Sequence, residues 1–241
     1  MEAVGRWLST KFDRLTQELN GITRGLQRKS TQPTVAVIDS QSVRTGRPQS
    51  VKGVDGGKRI KGIKRHLAVD SNGFPLTIVT SRANVHDSKG AIGLTINMLC
   101  KYHIIRLLKA DNGYRGPLVK NLNEGLNVAL ECVKSNFGTS EFKPINGRWV
   151  VERTFSWLES FRRLNRNYEQ FLHIANGVAM AACAMFMFRS QCNRIAPSLR
   201  EHICTTLDRP SLNKYWGTGA KQWEGIFPET SGASPLLSLI Y

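Results

Sequence analysis

Two carboxylates close apolar runs and a third opens an amphipathic helix: Asp39 in VAVIDSQSV, Asp111 in LLKADNGYRG and Glu152 in RWVVERTFSWL. An ionised acid at the end of a buried strand is costly unless a partner or an ion offsets its lost hydration. Hard divalent cations take oxygen ligands, and two-metal phosphoryl transfer gathers several acids around one phosphate. Clustered carboxylates without a cation would repel and raise one another's pKa. Asp39, Asp111 and Glu152 together therefore point to a cation site working on phosphodiesters.

Each acid also has a plainer reading. Asp39 precedes Ser40, Gln41 and Ser42 and could shape an Asx-turn, while Asp111 precedes the turn pair Asn112–Gly113. Glu152 could simply be an acid favoured in a first helical turn. Along its helix Val151, Phe155 and Leu158 follow a mostly apolar stripe. Glu152, Ser156, Glu159, Arg163 and Arg166 follow the neighbouring one, so Glu152 flanks the buried face and Glu159 competes with it as a ligand.

The charge balance supplies the other half. With 34 Lys and Arg against 18 Asp and Glu the formal charge is +16, and a polyanion such as double-stranded DNA is the partner that excess favours. Lys58, Arg59, Lys61, Lys64 and Arg65 crowd a glycine-rich stretch, and Arg148, Arg153, Arg162 and Arg163 decorate the Glu152 helix. Both groups bracket the acids in sequence, which favours phosphate contacts over a merely solvated face. Trp149 and Trp157 read as packing residues before base-stacking ones, and His66 and His86 as packed or exposed before supporting the site. Five scattered cysteines without a CxxC support neither a zinc site nor a disulfide framework and suit a reducing cytosol. The apolar run 178–188 is too short to span a bilayer, and nothing suggests a small-molecule substrate.

The elements that must position the acids follow from periodicity. Trp7, Leu8, Phe12, Leu15, Leu19 and Ile22 predict a helix over 6–28, and a first strand covers 35–38. HLAVD and FPLTIVTS, split by SNG, predict a hairpin. A helix with Asp87 or Ser88 as its N-cap follows, then the strand IIRLLKA, a short helix around YRGPLVKNLNEGL and the strand NVALECVK. Trp149 opens a long helix, and another covers about 174–193. Three strands, a helix, a strand, a helix, a strand and further helices give a ribonuclease-H-like α/β fold, a mixed five-stranded sheet flanked by helices.

IDSQSVRT, GGKRIKGIKRHLAVDSNGFPLTIVTSRANVHD, LLKADNGYRG and RWVVERTFSWLESFRRLNRNYE resemble the DDE transposases of bacterial insertion sequences, in particular the insertion-sequence-five type, over about residues 34–190. The resemblance implies two Mg²⁺ or Mn²⁺ ions held by Asp39, Asp111 and Glu152, with DNA element ends and target DNA as partners and a homo-oligomer acting on paired ends. Arg148 matches the arginine of the family's tyrosine–arginine–glutamate–lysine signature, whereas its tyrosine position is Ile145 and its lysine position Glu159. Residues 1–33 are expected to be the last helix of a recognition region, 34–195 the catalytic domain and 196–241 a poorly packed tail. The implied activity is metal-dependent cleavage and strand transfer. A structure-specific nuclease on the same fold and a truncated, non-catalytic DNA-binding regulator are the alternatives.

Overall fold

The computed structural model describes residues 2–114, 122, 124–133 and 149–195. Residues 1–187 form one compact unit; a second begins at Phe188, and its described part is the end of the last helix.

Apolar alternation builds the sheet. β1 (Val35–Arg44) pairs antiparallel with β3 (Ile60–Val69), which pairs antiparallel with β4 (Pro75–Arg82) and, at its start, with the short β2 (Gly53–Asp55). On its other side β1 pairs parallel with β5 (Leu107–Asp111), and β5 parallel with β6 (Ala129–Val133). The order β4-β3-β1-β5-β6, with β2 an added sixth strand, is the mixed sheet of a ribonuclease-H-like core. A hairpin suffices for β3 to β4, where Gly73 takes a left-handed φ of 84° in the turn. The parallel strand β5 needs a crossover, which α2 (Asp87–Leu99) provides.

The two faces follow from the period of two. Ala36 and Ile38 join Ala68, Leu108 and Ala110 in one buried cluster with Ala91, Leu94 and Met98 of α2. The odd-numbered residues of β1 and β3 turn the other way, toward α3 (Trp149–Glu159) and α4 (Leu172–Ile195): Val43 and Ile63 cluster with Ala175, and Arg65 donates to the Leu164 carbonyl. α1 (Glu2–Leu26) packs on β4.

Four expectations need correction. β1 does not end at Asp39 but runs five residues further, and β3 begins at Ile60, well before HLAVD. Their antiparallel pairing continues to Arg44↔Gly62, so the lysine-rich stretch is partly strand. The N-cap of α2 is His86, whose Nδ1 accepts from the Ser88 N–H, rather than Asp87 or Ser88. α1 buries Thr16, Leu19, Asn20, Thr23 and Arg24 and leaves Leu15 and Ile22 exposed, so its inward stripe is rotated from the apolar one. Local and ionic partners allow this: the Thr16 and Thr23 hydroxyls donate to carbonyls one turn back, and Arg24 meets buried Asp70 at 2.8 Å. Finally, α3 stops at Glu159; Ser160 donates to the Trp157 carbonyl and Phe161 turns extended and buried. Arg162, Arg163 and Arg166 therefore lie beyond the Glu152 helix. α4 is long and apolar enough, by length and composition, to cross a bilayer, a test that core helices also pass; here Ala175, Ala179, Met180, Cys183 and Met187 are buried.

Candidate active site

Two acids are brought together by strand register. β1 and β5 pair as Val35↔Leu107, Ala36↔Leu108 and Val37↔Lys109. Two residues further along each strand stand Asp39 and Asp111. Equal spacing keeps them level and on the same face, the one turned toward α3. Pairing between the strands ends at Val37 and Lys109, so the carboxylates flank the point where β1 and β5 part. Asp39 Oδ1 accepts the Ser40 N–H at 2.7 Å. Tyr114, in the turn after β5, gives an independent sign of proximity: burial first, then the charges of Asp39, Asp87 and Asp111, push its phenol well above its ordinary pKa.

The third acid arrives on α3. That helix is seated at its start by Thr154, whose hydroxyl donates to the Gly73 carbonyl at 2.5 Å, and by Arg153, which donates to Asn72 O. At its end Glu159 Oε1 accepts from Gln41 Nε2 at 2.6 Å. α3 thus runs alongside β1 from the 70–74 turn to Gln41. Glu152 is exposed on this helix, two turns before Glu159. Seven helical residues rise about 10 Å, the length of about three strand residues, which puts Glu152 near the level of Ile38–Asp39. Among the described residues no group of three His, Cys, Asp or Glu side chains is close enough to hold a metal ion. Two oxygen donors at matched positions on adjacent strands suit a hard divalent cation; a closed set of three is not present among the described residues.

Behind the acid pair lies a network that the sequence did not announce. On the α2 face Lys64, buried, meets Asp87 at 2.9 Å and Asp55 at 3.4 Å and donates to Val85 O. Ser40 donates to Asp87 and Ser42 to Asp55. Burial alone would raise the Asp87 carboxyl, but the bonds from Lys64 and Ser40 outweigh it and hold it below the usual value. The Ser42 bond, against burial and aided by Lys58 N–H and Lys64, brings Asp55 to about 2. This lattice fixes β1 at Ser40, next to Asp39, and at Ser42, so it flanks Gln41 on both sides. Its sequence signal was the alternation of Ser40 and Ser42 against Asp39 and Gln41.

The basic residues divide. Lys58, Arg59, Lys61, Arg162 and Arg163 are exposed, the last bonded to Glu169 at 2.7 Å. Lys64 and Arg65 are buried and direct their donors inward; burial lowers Arg65 to about 10. The charge offered to solvent by this segment is therefore that of Lys58, Arg59 and Lys61. Arg153 lies between two indoles, 4.3 Å from the Trp149 ring centre and 4.6 Å from that of Trp157. Trp157 is buried, as expected of a packing residue, whereas Trp149 is 46% exposed. His66 is fully buried with Nε2 2.9 Å from the Ser81 hydroxyl, and burial lowers its pKa to about 4. Arg148 and Ile145 lie outside the described residues.

Strand order and register define a ribonuclease-H-like domain with a carboxylate pair at the mouth between β1 and β5. Residues 30–187 match the transposase DDE domain, and the chain belongs to that family. It is 29% identical over 164 residues, 64% of this chain and 74% of the relative, to the putative transposase for insertion sequence element IS402 of Burkholderia cepacia. Among solved structures it is similar to the catalytic core domain of BIV integrase, with a TM-score of 0.41 and 12% identity over 66% of this chain and 95% of that one. A likeness to the catalytic domain of Mos1 mariner transposase has a TM-score of 0.31 and 12% identity over 74% and 92%. These structural likenesses are loose, and the fold assignment rests on the strand order.

Proposed function

We propose that this chain cuts and joins DNA strands at the ends of an insertion sequence of the insertion-sequence-five type, with Asp39, Asp111 and Glu152 as the acids of its DDE set. The observation that supports this reading is the parallel register ending at Val37↔Lys109, with Asp39 and Asp111 each two residues further along their strands. Asp39 and Asp111 would hold divalent Mg²⁺ or Mn²⁺, two ions in the full set, with Glu152 reaching in from α3. Bound there, the ions would polarise the phosphate and lower the cost of charge on the entering and leaving oxygens. The chain's own part is positional. The Ser40 N–H holds the Asp39 carboxylate, and the Lys64 lattice keeps β1 from shifting at the neighbouring residues. In hydrolysis a P–O bond forms to water, the P–O3′ bond breaks and a 3′-hydroxyl is released; that hydroxyl is the nucleophile for joining. The family resemblance implies at least two copies on paired ends, which light scattering of the DNA complex would test.

Glu159 supports a second assignment of the third acid. Its bond to Gln41, two residues beyond Asp39 on the same face, ties it directly to β1. Supercoiled-plasmid nicking and end joining with Mg²⁺ or Mn²⁺ decide both questions. Asp39→Asn or Asp111→Asn is expected to lower the rate by ~10²-fold or more, about 2.7 kcal/mol of barrier, with DNA binding kept. Glu152→Gln should do the same and Glu159→Gln should not; the reverse pattern moves the role to Glu159. Undiminished activity in both aspartate variants would refute the reading.

A further inference from the structure

Beyond the acids β1 runs on to Arg44, and there the surface changes character. A cavity of about 560 Å³ is lined by Arg44, Arg47, Lys52, Arg59 and Lys61 together with Thr45, Gly46 and Pro48. No carboxylate lines it, and among the described residues none of the five cations is in an ion pair. Five like charges around one concavity repel one another and are stabilised by a bound polyanion. The walls are built rather than loose. Thr45 N–H donates to the Lys61 carbonyl at 3.1 Å and Gly46 N–H to the Asn167 carbonyl at 2.7 Å. Asn167 N–H returns to the Arg44 carbonyl at 2.8 Å, and Val51 N–H bonds the Glu169 carbonyl. A second cavity of about 540 Å³ shares Arg44 and is lined by Gln41, Ser42, Val43 and Glu159, so it reaches along β1 to two residues from Asp39.

We propose that this five-cation cleft is a docking site for the DNA phosphate backbone, gripping the substrate at a fixed distance from the scissile bond; the inference rests on the cleavage reading for its substrate. Asp39 and Arg44 are five residues apart on one extended strand, roughly 16 Å. At 3.4 Å per base pair that is about five base pairs of duplex. The cleft contacts backbone charge and not base edges, so it binds DNA of any sequence and sets the register of the strand over the acids. Arg44, Arg47 and Lys52 carry this role alongside Arg59 and Lys61.

The test is the salt dependence of binding to a random-sequence 30-base-pair duplex, in EDTA, by fluorescence anisotropy. Replacing two phosphate-contacting cations with R47A/K52A should lower the slope of log K against log[salt] by nearly 2, about 0.9 per contact. R47K/K52R should restore the slope, and removing two cations away from the cleft with R14A/K29A, one on α1 and one just after it, should leave it unchanged. Salt-dependent binding by the native chain with an unchanged slope in R47A/K52A would overturn the cleft and leave the cleavage reading standing. Loss of slope in R47A/K52A together with undiminished nicking by Asp39→Asn would uphold the cleft and refute the cleavage reading.

Discussion

On one face of the sheet Ala36, Ile38, Ala68, Leu108 and Ala110 pack against Ala91, Leu94 and Met98 of α2 in one apolar cluster. On the other, Asp39, Gln41 and Arg65 alternate with Val37, Val43 and Ile63, and the covering elements supply polar partners such as Glu159 and the Leu164 carbonyl. Where it meets α2's apolar residues the first face is held by area removed from water and by close fit, which tolerates changes of side chain better than changes of volume, and the Lys64–Asp87–Asp55 lattice takes over further along the strands. The second is held by specific bonds, each costly when only one partner is removed. Carboxylates that must meet a cation and a phosphate can sit only on a face of the second kind. There the strands part, and charge does not have to be buried against hydrocarbon.

The difference can be broken from either side. On the α3 side the largest expected loss is at Asp70, which bonds Arg24 at 2.8 Å and accepts the Asn72 and Phe74 N–H groups in the turn that seats α3. Asp70→Asn leaves Arg24 buried without its counter-charge and should lower stability by about 3–5 kcal/mol, read from urea unfolding at pH 7. A loss below about 1 kcal/mol would remove this anchor from the account.

On the α2 side the next effect is a pH response. His66 stays neutral in the fold down to about pH 4, whereas its ordinary pKa is 6.5. The unfolded chain therefore binds more protons across that window, and stability is lost as pH falls from about 6.5 to about 4, on the order of 3 kcal/mol. Thermal melts across this range should show the loss in the native chain and a flatter response in His66→Asn; parallel curves would contradict it.

Smaller again is a volume change at the same place. A Cβ at Gly90 would stand 2.1 Å from the His66 ring, so Gly90→Ala should cost about 1–3 kcal/mol. G90A/H66A should recover part of it, the coupling expected of neighbours in contact. Additive losses would show that the two do not press on each other.

How much of this could be read from the residues differs between the faces too. Alternating apolar runs exposed the α2 face, the β3–β4 hairpin and the strand ending at Asp111, because burial against hydrocarbon writes a period of two into the chain. The same rule stopped β1 at Ile38, since Asp39, Gln41 and Arg44 break an apolar pattern although their backbone keeps pairing with β3. Lys64 and Arg65 read as surface charge for the same reason; only the arrival of Asp87, Asp55 and the Leu164 carbonyl from distant segments makes their burial tolerable. Thr16, Asn20 and Thr23 turned α1 away from its apolar stripe by that logic as well. The acids were recognisable by type and by the elements that carry them. That Asp39 stands level with Asp111 depends on strand register, which no local spacing encodes.

Manganese titration followed by electron paramagnetic resonance tests that register most directly, since it reads the ion and not the reaction. The account predicts that the native chain depletes the free Mn²⁺ signal saturably and that Asp39→Asn and Asp111→Asn each abolish this without altering the fold. Equal Mn²⁺ uptake by the native chain and both variants would contradict it.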